Sequence, residues 1–351
     1  MVWWLLACLP AKEEAEIEPD VSPLGEGDGS PESVGWRTVL DEDDDVSDPR
    51  DLGFDAAGNL WVANRRDDRT FIVFDPGTDD QTHDRRKDGM AEHFMEETAA
   101  LSFDPHEQFG SCGESENTYN DRAEANHFMG PVLWSTDLDI FAELDPMGLG
   151  SHLDMLHESP LCVGIAWETD NVYWVFDGYH SAVVRYDFQE DHDVGQDDHS
   201  DGIVRRLTEP EVLREPEAPG HMAIDPDTGL LYVADTGNGR VLWIDTATGE
   251  EGRQLRDAPE PLDSYVAWDG VEWGVLIEGL DRPGGLALAG DRLYVGEWGN
   301  GVIHEYDLDG AELRTLDTGL GEEALYGIEI GPDGKLWLTE TATPSVRRVD
   351  P

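Results

Sequence analysis

Residues 219–245 read PGHMAIDPDTGLLYVADTGNGRVLWID: a short apolar run, a Gly/Asp turn, an aromatic-rich run, a polar turn and a third run ending in Asp. That is three strands of alternating character joined by hairpin chemistry. The phrase returns at 49–75 (PRDLGFDAAGNLWVANRRDDRTFIVFD), 162–187 (CVGIAWETDNVYWVFDGYHSAVVRYD), 283–307 (PGGLALAGDRLYVGEWGNGVIHEYD) and 325–350 (LYGIEIGPDGKLWLTETATPSVRRVD). A degenerate sixth copy has AALSFD (99–104), a run near Phe109–Cys112 and PVLWSTD (131–137). A unit of this size cannot bury both faces alone, so the copies must stack on one another.

A fourth strand is expected after most copies: GIVRRL (202–207), GEEGRQL (249–255) and GAELRTL (310–316). The last copy is followed only by Pro351, and GWRTVL (35–40) is expected to supply its missing strand. Six four-stranded units closed in a ring make an all-β, six-bladed β-propeller, whose closure leaves only short strand edges. The aromatic column Trp61, Tyr173, Tyr232, Tyr294 and Trp337 reads as core.

The composition is extreme in charge, with 78 acidic residues against 23 basic and a formal net charge of −55. Such a surface repels nucleic-acid phosphates and anionic lipid headgroups and attracts divalent cations or basic ligands. Adaptation to salty surroundings, where screening relieves self-repulsion, accounts for it equally well. Residues 1–8, ending in Leu5-Leu6-Ala7-Cys8, resemble a lipoprotein-type signal in which Cys8 is lipidated. Residues 9–35 then read as an acidic tether to a domain spanning 36–351, and the protein as a monomer exported to the periplasm or surface of a bacterium, touching membrane only through that anchor. Cys112 and Cys162 remain as an even pair, compatible with a disulfide or with two unconnected thiols.

The copies resemble NHL repeats, and the domain resembles six-bladed NHL-type propellers, among them peptidylglycine amidating lyase, strictosidine synthase-like proteins and gluconolactonase-like enzymes. The resemblance implies a channel mouth formed where the inner strands begin. At the first position of those strands stand Asp51, Ala100, Gly164, His221, Gly285 and Gly327, the glycines keeping the mouth open. With the segments 93–98 and 151–160, the turns 64–68 and 178–180, and an insertion over 113–130, this places His93, His127, His152, His157, His180 and His221 on one face.

Imidazoles and carboxylates suit Zn²⁺ or a similar metal, and the expected ligands are His93, His152, His157, His221, Glu97 and Asp154. The amidating lyases hold zinc by histidines at inner-strand starts and use an arginine and a tyrosine. By that resemblance Arg65 or Arg66 takes the arginine's role and Tyr179 the phenol's, with His180 able to move a proton. Only His221 reproduces a first-position histidine, so His157 and His93 would substitute from loops.

On the opposite face, DFQEDHDVGQDDHSDG (187–202) crowds Asp191, Asp193, Asp197, Asp198 and Asp201 around Gly195, a candidate Ca²⁺ loop or a solvated acidic one. Carboxylates closing the second strands (Asn64 being the amide exception), namely Asp177, Asp235, Glu297 and Glu340, are expected to accept N–H groups of the following turns. Three functions stand open: a propeller that binds a metal plus a small-molecule, peptide or carbohydrate ligand at the funnel, a metal-dependent lyase or hydrolase, and an acidic interaction scaffold.

Overall fold

The computed structural model describes residues 21–116, 128–143, 148–256 and 261–351. Cys8, His127 and the other residues read above from 1–20 and 117–127 lie outside them. Six sheets, the blades, each begin on an inner strand: Pro49–Phe54, Thr98–Phe103, Cys162–Thr169, Met222–Ile224, Pro283–Ala289 and Leu325–Ile330, here blades 1 to 6. Gly35–Leu40 pairs with Ser345–Asp350 and completes blade 6, so the two ends of the domain meet in one sheet. Among the described residues no helix is long and apolar enough to cross a membrane.

The five aromatics are buried between blades, but Tyr173 does not belong to their column. It faces back onto blade 2, and Trp174, packed against blade 4, holds the matching position in blade 3. Trp61 and Tyr173 are fully buried, and Tyr232, Tyr294 and Trp337 are no more than 2% exposed. Blade 2 carries Gly110 at the matching place, where a Cβ would come within 2.8 Å of the Tyr173 ring.

Register shifts recur at the start of the inner strands, between Pro49 and Asp51, Thr98 and Ala100, and Cys162 and Gly164. Bulges of this kind re-aim a side chain locally. They turn the first-position residues toward the neighbouring blade. The glycines there do not serve to hold the mouth open. A Cβ on Gly164 would lie 2.1 Å from the Gly220 carbonyl, and one on Gly327 2.6 Å from the Asp51 carboxylate, so it is close packing between blades that requires glycine.

Blade 4 departs from the expected pattern. Glu250–Gln254, within GEEGRQL, does not become its fourth strand but pairs with Ser264–Asp269. That hairpin docks parallel to Ile203–Leu207 and extends blade 3 to six strands, while Trp273–Glu278 closes blade 4. The reason is side-chain chemistry: WGVLIE can cover the third strand of blade 4, whereas EEGRQ is almost wholly exposed and suits a free edge.

The described end of the stretch read as a tether is packed. Leu24 is 2% exposed within the core of blades 5 and 6, Ser22 Oγ donates to Glu305, and Gly29 O accepts the Asp317 amide. Cys112 and Cys162 form a disulfide joining the second strand of blade 2 to the inner strand of blade 3.

Candidate metal centre and channel mouth

Apart from Glu97, the expected ligands separate into two places. His221 and Asp51 sit on the propeller axis, at one end of a cavity of about 570 Å³ walled by Leu52, Leu101, Ile165 and Ile328. Asp51 accepts the amides of Leu52 and Leu101, each at 2.8 Å, and so ties blade 1 to blade 2. The His221 imidazole lies 3.6 Å from Asp51 and 3.2 Å from the Ala99 carbonyl. Burial pushes the Asp51 carboxyl up to about 8 and His221 down to about 4, leaving both neutral. Burial also lifts Glu329, on the same cavity wall, to about 8.

Beside the axis is a polar pocket lined by Arg50, Arg65, Arg66, Glu97 and Glu217. Arg50 and Arg65 are answered within the protein. Arg65 forks onto Glu217 at 2.5 and 3.2 Å and reaches Glu97 at 3.4 Å and Glu114 at 3.9 Å. Arg50 pairs with Asp48 at 2.8 Å and lies 4.6 Å over the Tyr326 ring. Arg66 lines the pocket from an exposed position. Tyr179 is 47% exposed, and His180 is held by the fully buried Asp177, whose carboxylate lies 2.7 Å from Nδ1. Asp177 also accepts the Tyr179 and His180 amides, the expected turn bond. Asn64, Asp235 and Glu297 instead accept amides of the segments leading into the inner strands, those of Asp48, Leu213 and Asp281.

The second place is the outer edge of blade 2. Asp154–Met155 forms the short fourth strand of that blade, so His152, Asp154 and His157 flank a blade edge rather than the channel. The 188–201 loop crosses to this edge. Its backbone docks through His192 N to Leu153 O at 3.2 Å and Gly195 N to His152 O at 2.9 Å. The loop was read for its aspartates, yet what it delivers inward is His192 and His199. Asp154, His192 and His199 each offer a ligand atom within 4.8 Å of one another, the one such group among the described residues.

The five aspartates do not converge. Asp191, Asp193, Asp197 and Asp198 are exposed, Asp198 accepts from Ser200, and Asp201 accepts the Glu190 amide. His93 stands next along the edge, 6.1 Å ring to ring from His157, and Glu97 belongs to the Arg65 pocket instead.

The chemistry of the cluster follows from its hydrogen bonds. His192 Nδ1 lies 2.8 Å from the Asp193 carbonyl, which only accepts, so Nδ1 carries the proton. In the neutral ring Nε2 is then an acceptor, and it faces Asp154 Oδ1, a second acceptor, at 3.6 Å. His199 Nδ1 is 2.8 Å from the same oxygen. Asp154 is fully buried, its Oδ2 has no hydrogen-bond partner, and neither has His192 Nε2. Buried acceptors facing one another are costly unless a cation lies between them. A ligand histidine whose other nitrogen donates to a backbone carbonyl is the usual arrangement at a metal. Burial, then the neighbouring His192 and His199, push His152 down to about 3, and burial raises Asp154. Imidazole and carboxylate together fit Zn²⁺ or a similar transition metal better than Ca²⁺, which wants six to eight oxygens.

The signal for the two loop histidines was present as His192 and His199 flanking Gly195, but nothing in the chain states which edge the loop meets.

No protein-family model matches the chain, and no curated protein does. Among solved structures it is similar to a gluconolactonase from Xanthomonas campestris, with 14% identity over 91% of this chain and 90% of that one and a TM-score of 0.56. It is also similar to regucalcin, a calcium-binding protein of Agrobacterium tumefaciens, at 15% identity, 90% and 93% coverage and a TM-score of 0.54. Virginiamycin B lyase from Staphylococcus aureus gives 12% identity, 90% and 99% coverage and a TM-score of 0.51. At these identities the likeness establishes a six-bladed propeller and leaves activity to the site.

Proposed function

We propose that this chain is an exported NHL-type propeller that holds a divalent transition metal, zinc or similar, and takes a small or peptidic ligand at the channel mouth. The observation that carries the metal is the pair of facing buried acceptors, His192 Nε2 and Asp154 Oδ1, with His199 on the same carboxylate. The mouth suits a polar ligand, since its pocket of about 610 Å³ combines guanidinium groups with carboxylates. The buried disulfide favours an oxidising compartment, in line with lipidation at Cys8. Binding is favoured over the lyase or hydrolase reading because Arg65 is saturated by three carboxylates and the metal ligands lie on a blade edge away from it.

The regucalcin likeness raises calcium, but two of the three converging residues offer nitrogen, so calcium is the weaker fit here. Metal analysis of protein purified without chelator tests the reading. One zinc per chain is expected, with none in Asp154→Asn; wild-type protein that cannot be loaded with zinc ends the proposal.

A further inference from the structure

We infer that the metal at Asp154, His192 and His199 is completed by His152 into a closed four-ligand site, and that it acts as a clasp fastening the 188–201 loop of blade 3 to the edge of blade 2. The inference rests on the metal reading above and adds the fourth ligand and the role.

Three observations carry it. The first is spacing. Two imidazoles on one tetrahedral ion, with metal–nitrogen bonds of about 2.0–2.1 Å, have ring centres about 5 Å apart. The His192 and His199 rings meet this spacing at 5.1 Å, and the His152 ring lies beside them, 5.1 Å from His192 in its present orientation. His152 lies outside the group of three, stacked 3.8 Å from Phe94, and a side-chain rotation is needed to bring it in. Its Nδ1 is buried and has no hydrogen-bond partner.

The second is enclosure. His152 is 1% exposed, Asp154 0% and His199 7%, and the His192 side chain is 3% exposed. A catalytic metal keeps a position open for water or substrate, whereas a structural one is closed by protein. This site is closed.

The third is the loop itself. Between Glu190 and Asp201 it carries six carboxylates and, in Val194, one aliphatic side chain packed on the core. Apolar burial alone gives such a segment little hold, and its charges repel the rest of an acidic protein. A metal drawing two of its histidines onto a blade 2 carboxylate supplies the missing attachment. The loop leads directly into Ile203–Leu207, and Gly202 O accepts the Ser264 amide of the added hairpin, so the clasp also steadies that docking.

The test uses full-length protein loaded with Zn²⁺ or Co²⁺. The cobalt form of the wild type should show the intense visible absorption of four-coordinate tetrahedral Co²⁺. His152→Gln should weaken zinc binding by more than the roughly 10–100-fold typical of losing an outer-shell partner, and should shift the cobalt spectrum toward a weaker, water-ligated form. Limited proteolysis should cut within 188–201 after chelation and not in the zinc form. Unchanged affinity and spectrum in His152→Gln overturn the fourth ligand. Equal cleavage with and without metal overturns the clasp. Wild-type protein that takes up neither ion overturns the metal reading itself, an outcome distinct from the other two.

Discussion

The channel mouth and the outer edge of blade 2 are both polar and rich in titratable groups, yet they are built on opposite accounts of charge. At the mouth the two inward arginines have their counterparts: Arg65 with Glu217, Glu97 and Glu114, and Arg50 with Asp48. On the axis, where no counter-charge reaches Asp51, the carboxyl is neutral and bonded to two amides. At the blade edge, acceptors face acceptors and a buried carboxylate oxygen has no donor. Burial alone therefore distinguishes nothing; the direction of hydrogen bonding does. A site satisfied from within is structural, and one that lacks a cation points to what is missing.

The comparison breaks first, and with the largest effect, at the edge. Asp154→Asn removes the single carboxylate of the centre, so metal content should fall from one ion per chain to none. The wild-type melting temperature should drop on chelation while that of the variant stays put. The same substitution at the mouth, Asp48→Asn, should leave metal content unaltered. If both variants keep their zinc, the two regions do not differ in the way described.

Next in size is the covalent link between blades 2 and 3. The disulfide closes a loop of 50 residues, for which chain-entropy arguments give about 4 kcal/mol. The double variant Cys112→Ser/Cys162→Ser should lose about that much in urea unfolding, whether or not metal is present. A loss seen only in chelated protein would make the clasp and the disulfide one device.

The axis should show itself in pH dependence. Asp51 and Glu329 have folded values raised to about 8, so between their ordinary carboxylate range and pH 8 the folded state holds protons that the unfolded chain has released. Their contribution is complete at low pH and is lost as pH rises toward 8. His221, lowered to about 4, acts in the other sense: stability rises with pH between about 4 and its ordinary value near 6.5. Glu329→Gln should flatten the decline of melting temperature between pH 6.5 and 8, where His221 no longer titrates. An unaltered slope would place the titrating groups elsewhere.

The smallest effect belongs to Glu217, whose side chain is 60% exposed. Glu217→Gln should cost under about 1 kcal/mol, because solvent screens the pair and Arg65 keeps two other carboxylates. A cost several times larger would mean the mouth is less well satisfied than its ion pairs suggest.

The strand repeat was legible because each copy writes its own alternation and turns, so Trp61, Tyr173, Tyr232, Tyr294 and Trp337 are core in the chain and in the fold alike. Blade closure by 35–40 was legible for the same reason. Reading all the histidines onto one face misplaced His152, His157 and Asp154, because strand Asp154–Met155 is too short to carry a periodic signal. Nor could the reach of 188–201 be read. An acidic loop looks solvated in any acidic chain, and its inward histidines gain meaning only beside the carboxylate they meet.

Local periodicity by itself determined the number of blades, their first three strands and the core between them, since those follow from what neighbouring residues can bury. It did not determine which segment closes blade 4. Which distant groups face one another, and hence where a cation is wanted, was decided only by tertiary structure. Closure of the ring and docking of one loop across a blade boundary bring together His192, His199 and Asp154, up to 45 residues apart in the chain, and no spacing along the sequence encodes that meeting.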